Sequence, residues 1–148
     1  MKQEIESAEY TISADRNLLD IAIIHGFLQT TYWSKDIPLE IVERAIANSL
    51  CFGVYRNNQQ VGFARVVSDY ATFAYLADVF ILEEHRGQEL SKRLMQTIMS
   101  HPDLQGLRRW MLATRDAHEL YKKFGFEALK NPDSLMEITR PGLYLRKQ

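Results

Sequence analysis

The chain is short of cysteine, of charge of one sign and of long apolar runs, and each shortage removes a class of protein. Cys51 is the only cysteine among 148 residues, which excludes an internal disulfide framework and a cysteine-based zinc site. Eighteen basic and nineteen acidic side chains leave a net charge of −1. No basic footprint therefore marks nucleic acid or an anionic membrane as the main partner. No stretch approaches the ~20 apolar residues of a membrane span, because Asp20, His25 and Asp78 interrupt the most hydrophobic windows. The first ten residues hold Glu4, Glu6 and Glu9 and lack an apolar h-region. That pattern predicts a loose tail over residues 1–8, no secretory signal and a cytoplasmic location. His25, His85, His101 and His118 have no spacing that brings two of them to one helical face near a third ligand, so no metal site is expected.

What is present suits one soluble domain over residues 1–148, with 46% hydrophobic and 25% charged residues. Tyr10 to Ser13 reads as a short strand. Asp15 then stands ready to cap a helix carrying Leu18, Ile21, Ala22, Leu28 and Tyr32. Asp36 and Pro38 start a second helix, with Leu39, Val42, Ala45, Ile46 and Ser49 on one face, after a connector bearing Tyr32 and Trp33. Leu50 to Arg56 and Gln60 to Ser68 are β-branched and aromatic runs separated by Asn57 and Asn58, the pattern of a tight hairpin. Tyr75 to Leu82 is a strand with Asp78 as its one charge, and it feeds a helix with Leu90, Leu94 and Ile98 spaced by four. Arg109 to Thr114 follows as a strand. Asp116 then caps a short helix with Leu120, Tyr121 and Phe124 that Gly125 stops. Two last strands are expected near Phe126 to Leu129 and Leu135 to Leu145. The order predicts an α+β fold with a mixed sheet.

The junction DVFILEEHRGQELSKRLM, Asp78 to Met95, carries the most chemistry. A helix start leaves main-chain N–H groups unpaired at the positive end of the helix dipole. Gly87 permits close approach there, and Arg86 adds a fixed cation. A phosphate fits such a turn, although Arg-Gly also serves turn geometry alone.

On these residues the chain resembles the GNAT superfamily of acyl-CoA-dependent N-acetyltransferases, from about Tyr10 to Tyr144. VFILEEHRGQELSKRLM looks like the family's pyrophosphate loop. AHELYKKFGF, Ala117 to Phe126, is similar to its late helix with a Leu-Tyr pair and a terminal Gly-Phe. The element order agrees as well. The resemblance implies a mostly antiparallel sheet of about six to seven strands, flanked by about four helices and splayed between the fourth and fifth strands. It implies acetyl-CoA as acyl donor, with its pantetheine near Phe80, Ile81 and Leu82 and its pyrophosphate on the amides of Arg86, Gly87, Gln88, Glu89, Leu90 and Ser91. A strand N–H around Phe80 or Ile81 would polarise the thioester carbonyl.

By the same resemblance Tyr121 is the acid that protonates the departing thiolate; the alternative is a helix tyrosine packing its ring on the sheet as core. Asp78, a carboxylate within an apolar strand, is the candidate base, against the alternatives of a backbone-bonded Asp or a chain of waters. Tyr32 and Trp33 are placed to shape an acceptor pocket, or else to cover the core, and Asp69 to face the same pocket, or else to form its own turn. Glu89 departs from the family pattern, since a glycine is usual there. Its carboxylate competes with a pyrophosphate for the helix dipole. The acceptor is then a primary amine of a small molecule, less readily a protein amine, and a homodimer is open. A weakly active acyl-CoA-binding module is the alternative that Glu89 suggests, with a plain dimerisation domain behind it.

Overall fold

The computed structural model describes residues 9–145, and the tail expected over residues 1–8 lies outside them. The chain begins with β1 (Tyr10–Ser13) and continues into α1 (Ile21–Leu28) and α2 (Leu39–Ala47). Three long strands come next: β2 (Leu50–Arg56), β3 (Gln59–Ser68) and β4 (Phe73–Ile81). Helix α3 (Leu90–Met99), strand β5 (Arg109–Leu112) and helix α4 (His118–Lys122) complete the regular elements. One sheet runs in the order β1-β2-β3-β4-β5, antiparallel from β1 through β4 and parallel between β4 and β5. Among the described residues no helix is long and apolar enough to cross a membrane.

Local chemistry explains the turns. Asn57 (φ 51°) and Asn58 (φ 67°) take the left-handed conformations that a two-residue hairpin needs. The helix expected after Asp15 starts later than the spacing suggested. Asp15 accepts from the Asn17 amide and caps a single 3-10 turn, and Asp20 caps α1 through the Ile23 amide. Tyr32 therefore falls in the connector and not on the helix. Asp116 does not cap α4; the Ala117 amide donates instead to Thr114 Oγ1, at 3.0 Å.

The sheet buries both faces. On one, α3 packs Leu90, Leu94, Met95 and Ile98 against Phe52, Val54, Ala64, Val66, Ala74 and Leu76. On the other, Ile24 and Leu28 of α1 and Val42 and Ile46 of α2 cover Cys51, Phe63 and Phe80. A bulge in β4 reverses which residues point where. Phe63 pairs with Phe80 but Arg65 pairs with Ala77, so β4 carries one extra residue, and Asp78 there has φ 56°. One added residue shifts a period of two by one. Ala74 and Leu76 accordingly face α3 before the bulge, and Ile81 does so after it.

Among the described residues five strands form, not six or seven. Phe126 to Leu129 and Leu135 to Leu145 were expected to be strands, yet neither pairs with the sheet. Nearly all of residues 127–145 are exposed, and of their apolar side chains Tyr144 packs against the cluster of α1 and α2.

Candidate functional site

Strands β4 and β5 pair from Phe73 with Arg109 to Leu76 with Leu112, and there the pairing stops. Beyond Leu76, β4 runs on to Ile81 with its β5 side open. The divergence forms the wall of a cavity of about 910 Å³ that reaches from Arg86 and Ser91, past Val79 to Ile81, to Thr114 and Tyr121. The connector residues Tyr32 and Trp33 close its far end. A cavity of this size suits an extended organic ligand.

At one end stands the turn between β4 and α3. Gly87 (φ 82°) and Glu89 (φ 57°) are both left-handed, and Glu89 is the N-cap of α3 without a side-chain capping bond. Among the described residues no acceptor meets the main-chain N–H groups of residues 87–91. Arg86 is fixed beside them, its Nε donating to the Ile81 carbonyl at 2.9 Å. Main-chain donors, a helix start and an anchored guanidinium together make a seat for an anion. Arg86 and Ser91 line the cavity. Gly87, Gln88 and Glu89 are exposed and do not line it, and the Leu90 side chain is buried in the core.

Along β4 the donors divide. The Leu82 amide donates to the Val61 carbonyl at 2.8 Å, across the ladder with β3. Leu82 is therefore spent inside the sheet and does not line the cavity, contrary to the expectation that it would meet pantetheine. Main-chain groups alternate sides along a strand, so Phe80 shares the β3 side with Leu82 and Ile81 faces the cavity. Arg86 reaching the Ile81 carbonyl agrees with this. Phe80 contributes its ring, which stacks on Phe27 with centroids 4.1 Å apart.

Asp78 is not the isolated carboxylate that its apolar neighbours suggested. Oδ2 accepts from Arg65 Nε and Oδ1 from Trp33 Nε1, both at 2.8 Å. Arg65 in turn donates through Nη1 to Ser49 Oγ at 3.2 Å. The carboxylate thus ties the aromatic connector to the sheet. Tyr32 meets Trp33 edge to face at 5.1 Å, and the Arg115 guanidinium lies 3.5 Å above the Tyr32 ring. That cation–π contact joins the connector to the loop after β5 across the cavity mouth.

Tyr121 lines the cavity from α4, largely buried, and its hydroxyl has no hydrogen-bond partner among the described residues. Burial, with Asp116 nearby, raises its pKa above the usual phenol value, so it stays protonated at neutral pH. Asp69 lies elsewhere. Its carboxylate accepts from the amides of Ala71, Thr72 and Phe73 and from the Thr72 hydroxyl, which holds it well below the usual carboxylate range. It builds the β3–β4 turn and does not line the cavity, which corrects its assignment to the acceptor pocket.

Arg65 and Arg115 escaped the sequence reading. Arg65 had a usable signal: one cation in the apolar run of β3 and one anion in the apolar run of β4 each need a partner, and neighbouring strands supply it. Arg115 had none, since its role depends on where the loop after β5 lands.

A mixed sheet parted between its parallel strands, with open amides at the adjoining helix start, makes a cleft with room for an extended ligand that carries an anionic group. Residues 47–128 match the family model described as the acetyltransferase (GNAT) domain. A Gibberella zeae protein described as a candidate acetyltransferase is 31% identical, over 88% of this chain and 86% of its own length. A crystal structure from Xanthomonas campestris, described as a candidate acetyltransferase of the GNAT family, is 59% identical. It superposes with a TM-score of 0.91 over 93% of this chain and 97% of that one. A Clostridium acetobutylicum protein crystallised with acetyl-CoA shares the fold alone, at 14% identity and a TM-score of 0.62, over 88% of this chain and 94% of that one. The chain belongs to the GNAT acetyltransferases and is an acyltransferase.

Proposed function

We propose that the protein moves an acetyl group from acetyl-CoA to a primary amine of a small molecule, by direct attack with donor and acceptor bound together. The single observation that carries this reading is one cavity lined both by Arg86 and Ser91, on the turn with the open amides of residues 87–91, and by Tyr121. Its lining offers the two groups that thioester aminolysis needs, an anion seat and a protonated acid.

The residues present fit the donor. The amides of residues 87–91 and the Arg86 guanidinium suit a diphosphate, and the open edge of β4 at Val79 and Ile81 suits the amides of pantetheine. Bound there, acetyl-CoA supplies an activated acetyl thioester. The Ile81 N–H faces the cavity and holds negative charge developing on the carbonyl oxygen. The Tyr121 hydroxyl, kept protonated by burial, gives its proton to the departing sulfur. Asp78 acts as a positioning residue, holding Trp33 and Arg65 in place, and the amine proton passes to water. Tyr32 and Trp33 enclose the acceptor.

Thiol release measured across a panel of primary amines tests the reading. Turnover is expected with at least one amine, and its absence with every amine, despite measurable acetyl-CoA binding, would leave an acyl-CoA-binding module. Glu89 is the observation that favours that second reading, because it places a carboxylate-bearing side chain on the turn that carries the seat. Cys51 does not disturb the assay, since burial lifts its thiol to about 11 and keeps it from thiol reagents in the folded chain.

A further inference from the structure

We propose that the acceptor carries a carboxylate besides its amine, and that the Arg115 guanidinium binds this carboxylate at the cavity mouth; this rests on the acetyl-transfer reading of the same cavity. Three arginines line that cavity, and two of them are committed. Arg65 is paired with Asp78 at 2.8 Å. Arg86 is anchored on the Ile81 carbonyl, beside the open amides that suit the diphosphate. Arg115 is left over. Among the described residues it forms no ion pair, and none of its N–H groups donates a hydrogen bond.

The side chain is nonetheless held. Its guanidinium carbon lies 3.5 Å from the centroid of the Tyr32 ring, so the planar group rests face-on against that ring. Tyr32 is itself braced edge to face by Trp33, whose Nε1 donates to Asp78. A face-on contact spends the π face of a guanidinium and leaves its in-plane fork of N–H donors unspent. An exposed arginine ordinarily keeps a freedom that a bound anion must first remove, and the stack on Tyr32 has already removed much of it. A fixed fork with no acceptor in the described chain matches the two oxygens of a carboxylate.

The neighbouring residue completes the acceptor's outline. Asp116 lines the same cavity, lies close enough to Tyr121 for its charge to act on the phenol, and is also without an ion pair among the described residues. A carboxylate near the acid draws in an ammonium group, and the guanidinium beside it takes an anion, so the pair is complementary to an amino acid. A phosphate fits less well. Among the described lining residues Arg115 is the one uncommitted cation, and it balances the single charge of a carboxylate but not the roughly 1.5 to 2 charges of a phosphomonoester beside Asp116.

Thiol release from acetyl-CoA is measured with three matched sets: β-alanine, phenylalanine and lysine, each beside its carboxamide and the amine that lacks the carboxyl group. In at least one set the carboxylate member is expected to show kcat/KM at least about tenfold above both others, carried mainly by KM. Arg115→Gln should shrink that ratio to within about twofold, and Arg115→Lys, which keeps the charge and loses the fork, should leave it in between. Carboxyl-free members turned over as well as their partners, a ratio that survives Arg115→Gln, or phosphoethanolamine preferred over every carboxylate would each overturn the proposal. Turnover with no amine at all would count against acetyl transfer, and binding then judges the carboxylate site. In the unaltered chain loaded with coenzyme A, the Arg115 Nε–H resonance should shift saturably with a carboxylate member and stay in place with its carboxamide. No shift with any of the three carboxylates would overturn the proposal, and the same resonance decides should Arg115→Gln not fold.

Discussion

Two turns flank β4, and they use their main-chain donors in opposite ways. The β3–β4 turn closes on itself: Asp69 takes three amides and a hydroxyl, and Tyr70 sits left-handed at φ 62° within it. The turn after β4 is also left-handed, at Gly87 and Glu89, yet among the described residues no acceptor meets the amides of residues 87–91. Identical chemical groups thus serve stability at one end of a strand and stay open to a ligand at the other. What separates them is whether a carboxylate of the chain occupies the centre of the turn. Glu89 is exposed on the second turn and makes no side-chain capping bond to its amides.

Changes at the cavity should move activity and leave folding alone. Tyr121→Phe removes the acid and keeps the ring packed against Phe126, so turnover should fall about a hundredfold or more with acetyl-CoA affinity unchanged. Steady-state kinetics beside calorimetric titration checks it, and a variant at full turnover would return Tyr121 to the core. Arg86→Ala removes one charge-assisted contact and should weaken acetyl-CoA binding roughly ten- to a hundredfold at constant melting temperature.

At the closed turn the effect should be the reverse. Asp69→Asn should lower the melting temperature and leave acetyl-CoA affinity unmoved. Its pH dependence follows from the depressed carboxyl. A carboxyl held below its unfolded value stabilises the fold above that value, and the contribution fades as pH falls from about 4 toward the lower folded value. Thermal melts of the unaltered chain should therefore lose stability over that acid range more steeply than melts of Asp69→Asn.

The smallest change joins the two turns. Glu89→Gly relieves a left-handed side chain worth about 1 kcal/mol, largely offset by the greater freedom of glycine in the unfolded chain. It also removes a carboxylate from the helix start. Acetyl-CoA should bind a few times tighter with a nearly constant melting temperature, and unchanged affinity would show that Glu89 already points clear of the seat.

What could be read in the sequence follows the range of the forces involved. The hairpin at Asn57-Asn58, the helical face of Leu90, Leu94 and Ile98, and the Arg86-Gly87 turn are set by neighbours a few residues apart, and all stand as expected. Non-local pairing hid the rest. The Asp78 bulge is defined only by the register with β3, and Arg65 and Trp33 reach Asp78 from 13 and 45 residues away. Asp69 was misplaced because a turn-forming carboxylate and a pocket-facing one look alike until the loop is folded. The last strands failed for a related reason: alternation at Met136 to Thr139 shows a segment able to be a strand, not which sheet edge receives it.

The most direct test of the open turn is amide chemical-shift perturbation during titration with coenzyme A. The account predicts that the amides of Gly87 to Ser91 move together and saturably, with Asp69 to Phe73 unmoved. Saturable binding that leaves Gly87 to Ser91 unperturbed would contradict it.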